Sequence, residues 1–174
     1  FFFDLFKTEI LIYLFFTYFI SLIDDIFIIN SYLKLIFQSV IILCLILLNS
    51  EIVIYNLGDF ENIGLVKLSY LGIPFTFICF LLLINSINFI DGIDGLCAFN
   101  FLVFLLMILF IKFYFENTLN TGYLILVLTT LIFLFFNLFT IKFKSFLGDS
   151  GSTLIGLMSA YIICYEVNSN EYFH

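Results

Sequence analysis

Arginine and tryptophan are absent from this chain, histidine and proline occur once each, and charged residues make up only 11% of its 174 positions. So little charge excludes an ordinary soluble domain, whose surface needs far more. The six basic groups are all lysines and are scattered, so no basic patch exists for nucleic acid. The net charge of −7 does not by itself exclude phosphate ligands, because the position of each charge decides that. Cys44, Cys79, Cys97 and Cys164 lie apart in apolar segments with no Cys-x-x-Cys pair, and read as small buried apolar residues. The abundance of Phe, Ile and Asn beside missing Arg and Trp reads as a compositional bias, so phenylalanine counts carry no weight.

What the chain does have is apolar length. Hydrophobic residues reach 64% and mean hydropathy is +1.24. Six apolar segments run roughly over 8–23, 35–49, 73–90, 97–115, 122–140 and 153–166. Several approach the ~20 residues that cross a bilayer. The runs are continuous and do not alternate, which excludes a β-barrel. The expected fold is an all-α polytopic membrane protein with about six transmembrane helices, in one domain over residues 1–174. The stretch 51–72 differs, with Glu51, Gly58, Asp59, Glu61, Gly64 and Lys67, and Pro74 follows. Within it "EIVIYNL" reads as a short strand or an interfacial segment. The chain begins with Phe and ends just after an apolar segment, so it reads as an interior piece of a longer protein, and no leader is judged.

Counting crossings brings three polar motifs to one face. "LIDDIF" ends the first segment, "INSINFIDGIDGL" ends the third, and "FLGDSGS" opens the sixth. Lys34, Lys142 and Lys144 fall on this face, while Lys7, Lys67 and Lys112 fall on or near the other. Lysine placement therefore does not orient the chain.

Depth constrains the acids. A charge at the centre of a membrane helix costs roughly 2.5–3.5 kcal/mol, and each Leu, Ile or Phe returns about 0.3–0.6. Two central aspartates would roughly cancel what the third segment gains. Asp91 and Asp94 are therefore expected at the membrane edge or in a watered cavity. Asn85, Asn88, Asp91 and Asp94 recur every third residue, which on a helix makes one slanting polar stripe. An ordinary polar helix end explains such a stripe equally well. The adjacent Asp24 and Asp25 repel unless a cation neutralises them, and a divalent metal or Lys34 would serve. Lys34 and Gln38 are i, i+4 neighbours on the next helix. In "KFKSFLGDSGSTLIGL", Ser150 or Ser152 suits an N-cap, free N–H groups at a helix start favour anions, and Asp149 is a candidate ligand for a hard cation. Five aspartates, Asp24, Asp25, Asp91, Asp94 and Asp149, would then share one face. Such a cluster suits a divalent cation that grips phosphate oxygens, and oxygen ligands favour Mg²⁺ or Mn²⁺ over Zn²⁺.

These motifs resemble the polyprenyl-phosphate N-acetylhexosamine-1-phosphate transferases, glycosyltransferase family 4. "LIDDIFIINSYLKLIFQ" is similar to the family's Asp-Asp motif with its downstream Lys and Gln. "INSINFIDGIDGLCA" is similar to its Asn-Ala-x-Asn-x-x-Asp-Gly-x-Asp-Gly-Leu motif, with Ser86 where Ala is usual. "FLGDSGSTLIG" is similar to its Phe-Met-Gly-Asp-x-Gly-Ser motif, with Leu147 in place of Met. The resemblance spans about residues 18 to 166 and leans towards the UDP-N-acetylglucosamine branch over the phospho-N-acetylmuramoyl-pentapeptide branch. The family has about ten crossings and a late His-x-His loop. That motif is absent here, His174 is not assigned to it, and the isolated 174-residue piece is expected to be inactive.

The resemblance implies transfer of sugar-1-phosphate from a UDP-sugar to polyprenyl phosphate, with release of UMP. It implies Asp149 as a Mg²⁺ ligand, and Asp24, Asp25 and Asp94 as catalytic. Lys34, Asn85, Asn88, Asp91, Ser150 and Gly151 are then substrate-binding. It also implies an inner-membrane protein with a cytoplasmic site, and a homodimer is left open. A cation-coupled transporter would prefer acids near the midplane of broken helices. A UbiA-type prenyltransferase would want Asp-x-x-x-Asp repeats, and a CDP-alcohol phosphotransferase needs an arginine this chain lacks. A non-catalytic membrane subunit is the remaining alternative.

Overall fold

A computed structural model of the protein describes residues 8–27, 30–60, 64–139 and 143–169. Lys7, Glu61, Lys142 and His174, named above, lie outside the described residues. In chain order the helices are α1 (Thr8–Phe27), α2 (Ser31–Leu48), α3 (Gly72–Ile90), α4 (Leu96–Glu116), α5 (Thr121–Leu138) and α6 (Gly148–Ser169). The all-α expectation holds, and each helix covers most or all of one of the six apolar segments. Five of the six, α1 to α5, are long and apolar enough to cross a membrane.

The sixth helix differs from the other five in composition and in burial. By composition α6 is not among the candidate spans, yet it is the helix most enclosed by the others. Ser152, Thr153, Gly156, Leu157, Ala160 and Ile162 are all buried along it. Small residues let neighbouring backbones approach closely in membrane bundles. A Cβ added at Gly156 would meet the Ile84 Cα at 2.8 Å, so α3 and α6 pack backbone against backbone. A helix wrapped by α1 and α3 has no need of an apolar face towards lipid. The outer helices show the opposite pattern, with Phe15, Leu48, Phe110 and Phe135 exposed as lipid-facing residues.

Contacts at the two ends of α6 separate two faces of the bundle. At its start, Asn88 from the end of α3 donates to the Ser152 hydroxyl at 2.9 Å. At its far end, Glu166 pairs with Lys112 near the end of α4 at 2.9 Å. There it also accepts a hydrogen bond from the Tyr123 hydroxyl at the start of α5. The ends of α1 and α3 and the start of α6 therefore meet at one face.

Between α2 and α3 a two-stranded antiparallel hairpin, β1 (Asn56–Phe60) and β2 (Gly64–Lys67), lies at the opposite face, with Asn56 opposite Lys67 and Asp59 opposite Leu65. The strand expected over "EIVIYNL" begins only at Asn56. Side chains of α3 and α6 satisfy the preceding backbone instead of a partner strand. Asn168 Nδ2 donates to the carbonyls of Glu51 and Val53 at 2.6 and 3.1 Å, and the Ile54 N–H donates to Thr76 Oγ1 at 2.9 Å. Ile52 and Val53 are buried as a result.

Candidate functional site

The apolar run of α1 carries its helix to Phe27, so Asp24 and Asp25 sit in its last turn and not beyond it. The Asn30 side chain accepts the Tyr32 N–H at 3.2 Å and starts α2 at Ser31. Lys34 thus lies in the first turn of α2. Its Nζ is 2.7 Å from Asp24 Oδ2 and also pairs with Asp149 Oδ2, tying α1 and α2 to α6. The side chains of Lys34 and Asp24 are only 13% and 12% exposed, where a charge pair is screened less than at an open surface.

The two neighbouring acids of α1 therefore diverge. Asp24 takes the lysine, and Asp25 accepts the backbone N–H groups of Asp149 and Ser150 at 3.2 and 3.1 Å. This corrects the expected N-cap. Ser150 and Ser152 both lie inside α6, which starts at Gly148, and the cap comes from Asp25 on another helix. Two N–H groups expected to be free for an anion are occupied in this way. Gly148 fits the junction twice over, with φ +65° and a would-be Cβ only 3.3 Å from Asp25 Oδ2. Ser152 is fully buried, and its hydroxyl donates to the Asp149 carbonyl at 3.3 Å while accepting from Asn88.

On α3 the polar stripe is shorter than the spacing suggested. Asn85 donates to the Leu81 carbonyl of its own helix at 2.8 Å and does not line the acidic cavity. Asn88 reaches α6. The helix ends at Ile90, Asp91 caps it, and Asp94 lies in the turn that follows. Gly95, at φ +76°, lets the chain reverse there into α4. Asp94 pairs with Lys144 at 2.5 Å, and the Lys144 ammonium lies 5.1 Å from the centre of the Phe146 ring.

Asp91, Asp94 and Asp149 line an open polar cavity of about 280 Å³, with Asn137, Phe146 and Gly148 among its other walls. Lys34 pairs with Asp24 and Asp149, and Lys144 pairs with Asp94. Asp91 shows the consequence. Burial first, then the charges of Asp149, Asp25 and Asp94, push its carboxyl up to about 6. Ser150 and Gly151 lie in the first turn of α6 beside this cavity.

Three lining or rim residues escaped sequence reading. Asn137, buried in α5, donates to the Ser145 carbonyl at 2.7 Å, and its Oδ1 has no partner among the described residues. A lone asparagine in the apolar run "LFFNLF" was the available signal. Phe146 was discounted with the other phenylalanines, and Lys144 was placed on the correct face but given no task.

A family model for glycosyl transferase family 4 matches residues 8–166. The chain belongs to glycosyl transferase family 4. No curated protein matches the sequence. Membership carries the general activity, transfer of a sugar-1-phosphate to a polyprenyl phosphate, and with it a sugar-phosphate donor and a lipid acceptor in the membrane. For this family 4 chain the five aspartates gather at one end of the bundle, where an acceptor phosphate anchored in lipid would lie.

The donor set can be weighed for a metal. Among the described residues no three His, Cys, Asp or Glu side chains form an enclosing cluster. Asp149, Asp91 and Asp94 instead line one open, oxygen-only cavity. Such a site suits a hard cation held by one or two carboxylates, with water and substrate oxygens completing its shell. It does not suit a closed thiolate or imidazole site.

Proposed function

We propose that this site transfers N-acetylhexosamine-1-phosphate, with N-acetylglucosamine as the sugar, from a UDP-sugar to undecaprenyl phosphate and releases UMP. The reaction would be the first membrane step of a cell-envelope polysaccharide, at the cytoplasmic face of the inner membrane. An oxygen of the lipid phosphate attacks the sugar-bound phosphorus of the donor. The bond from that phosphorus to the bridging oxygen breaks, and the bridging oxygen leaves with UMP. Both reactants are anions, so neutralisation and in-line positioning dominate the barrier.

Asp149 would hold Mg²⁺, or Mn²⁺ in its place, with Asp91 and Asp94 on the same cavity wall. When bound, the cation neutralises phosphate oxygens and lets two anions approach. Lys34 would offset charge on a phosphate beside Asp24. Asp25 fixes the start of α6 and so places Asp149 and Ser150. Asn88, held by Ser152, and Asp91 would face the pyrophosphate, with Asn85 one turn behind and the first turn of α6 at Gly151 opposite. Asn137 Oδ1 offers the donor an acceptor from the cavity wall. A lipid phosphate near pH 7 is already largely ionised, so no dedicated base is required, and Asp24, Asp25 and Asp94 act by charge and position. Two apolar cavities of about 550 and 140 Å³ share Leu83 and Ile163 between α3 and α6, and would take part of the isoprenoid chain.

One observation carries this reading. Three separate segments, the end of α1, the α3–α4 turn and the start of α6, deliver five aspartates to one end of the bundle. A midplane transport site would place them elsewhere. The test is UMP release by the full-length protein from UDP-N-acetylglucosamine with undecaprenyl phosphate and Mg²⁺. Turnover is expected with the wild type and lost with Asp149→Asn. Full turnover by that variant overturns the metal assignment, and flux of an ion without UMP release overturns the enzyme reading.

A further inference from the structure

Lys34 already occupies one carboxylate oxygen, Oδ2, of Asp149, the residue proposed to hold the metal. Its ammonium sits between Asp24 Oδ2, at 2.7 Å, and Asp149 Oδ2. An ammonium and a divalent cation sharing one carboxylate repel each other, and on the Lys34 side, where that side chain is 13% exposed, the repulsion is screened least.

One turn deeper on the same face of α2 lies Gln38. It is 2% exposed, and neither its Nε2 nor its Oε1 has a hydrogen-bond partner among the described residues. A buried amide with both ends unsatisfied is rare in a folded protein and calls for a partner beyond those shown. Its oxygen is a ready acceptor for an ammonium, and lysine has a flexible four-carbon stem able to change partners.

We propose that Lys34 is a resident cation which a divalent metal displaces from Asp149, and that Gln38 is the positioning residue that receives the displaced ammonium. Lys34 keeps Asp24 throughout, and its second contact passes from Asp149 to Gln38 Oε1. Before metal arrives the lysine prevents Asp149 and Asp24 from standing as bare neighbouring charges. Afterwards it remains one turn away, still offsetting Asp24. This inference rests on the reading that Asp149 holds the metal.

The test is Mn²⁺ binding to the full-length protein in detergent, read from the free-ion paramagnetic resonance signal with no substrate present. Lys34→Met should tighten Mn²⁺ about tenfold, because the competing cation is gone. Gln38→Leu should weaken it about tenfold, and Gln38→Glu should tighten it, with no effect of Gln38→Leu in the Lys34→Met background. The metal-free melting temperature of Gln38→Leu should equal or exceed that of the wild type. Unchanged or weaker binding by Lys34→Met, or the same Gln38→Leu effect in both backgrounds, overturns the exchange. Mn²⁺ binding by Asp149→Asn equal to that of the wild type overturns the metal reading itself.

Discussion

Asp25, in the last turn of α1, accepts the backbone N–H of Ser150 at 3.1 Å and so caps a helix that begins more than a hundred residues later in the chain. The same carboxylate takes the N–H of Asp149, and its negative charge complements the positive end of the α6 dipole. Loss of a capping side chain costs about 0.5–2 kcal/mol. Asp25→Ala should therefore lower the unfolding temperature of the detergent-solubilised protein, and Asp25→Asn, which keeps one acceptor oxygen, should lower it less. Equal losses for Asp25→Ala and for the exposed control Asp59→Ala would show that the cap contributes nothing.

Asp91 makes stability depend on pH in an unusual direction for an acid. An unfolded aspartate titrates near about 3.9, whereas burial and three neighbouring carboxylates push Asp91 up to about 6 in the fold. Between those values the folded state binds more protons than the unfolded state. Stability contributed by neutral Asp91 is full below about pH 4, falls as pH rises, and is gone above about pH 6. Melting curves from pH 4 to 7 should show this slope in the wild type and a flatter one in Asp91→Asn. Excess Mg²⁺ should flatten the wild-type slope, because a cation in the cavity favours the charged form.

Much of this architecture was legible because lipid solvent permits few alternatives. Each continuous apolar run became a helix, and α3 begins within one residue of the expected start. The three acid motifs met at one face because two crossings, an even number, separate each motif from the next. What was hidden depends on tertiary partners. No local signal says that Asp25 caps α6, so Ser150 and Ser152 looked like the natural caps. The stripe from Asn85 predicted a helical Asp94, yet α3 ends at Ile90 and the period breaks before Asp94. The enclosure of α6 was hidden as well. Its small and polar residues read only as part of an apolar crossing, and they are what the most enclosed helix needs.

The close approach at Gly156 predicts a steric effect with functional reach. Any Cβ there meets the Ile84 Cα at 2.8 Å, and backbone has little room to yield. Overpacking of this kind costs about 1–3 kcal/mol. Gly156→Ala should destabilise the protein and Gly156→Val more so. Turnover should fall too, since parting α3 from α6 separates Asn88 from Ser152 and moves Asp91 away from Asp149. Gly92→Ala is the control, since a Cβ there meets nothing closer than the nearby Phe89 carbonyl oxygen at 4.0 Å. Wild-type activity in Gly156→Val would show that the helices slide apart without harm to the site.

Far from the aspartates, Glu166 is 1% exposed and is compensated by Lys112 at 2.9 Å together with the Tyr123 hydroxyl. Lys112 also reaches Glu116 at 3.5 Å. Breaking a buried ion pair from one side costs about 3–5 kcal/mol, because the remaining charge stays in a medium that solvates it poorly. The two partners are not equivalent, since the Lys112 side chain is 12% exposed and has a second acid within reach. Lys112→Met should therefore be the severe change and Glu166→Gln the milder one. The double variant should recover most of the loss, since it leaves no buried charge without its counterion. Tyr123→Phe should fall between, removing one hydrogen bond to a charged acceptor at about 1.5–3 kcal/mol. Urea or thermal unfolding of the four variants in detergent decides the matter. A double variant as unstable as Lys112→Met would mean that the lysine stem, packed at the end of α4, matters more than its charge.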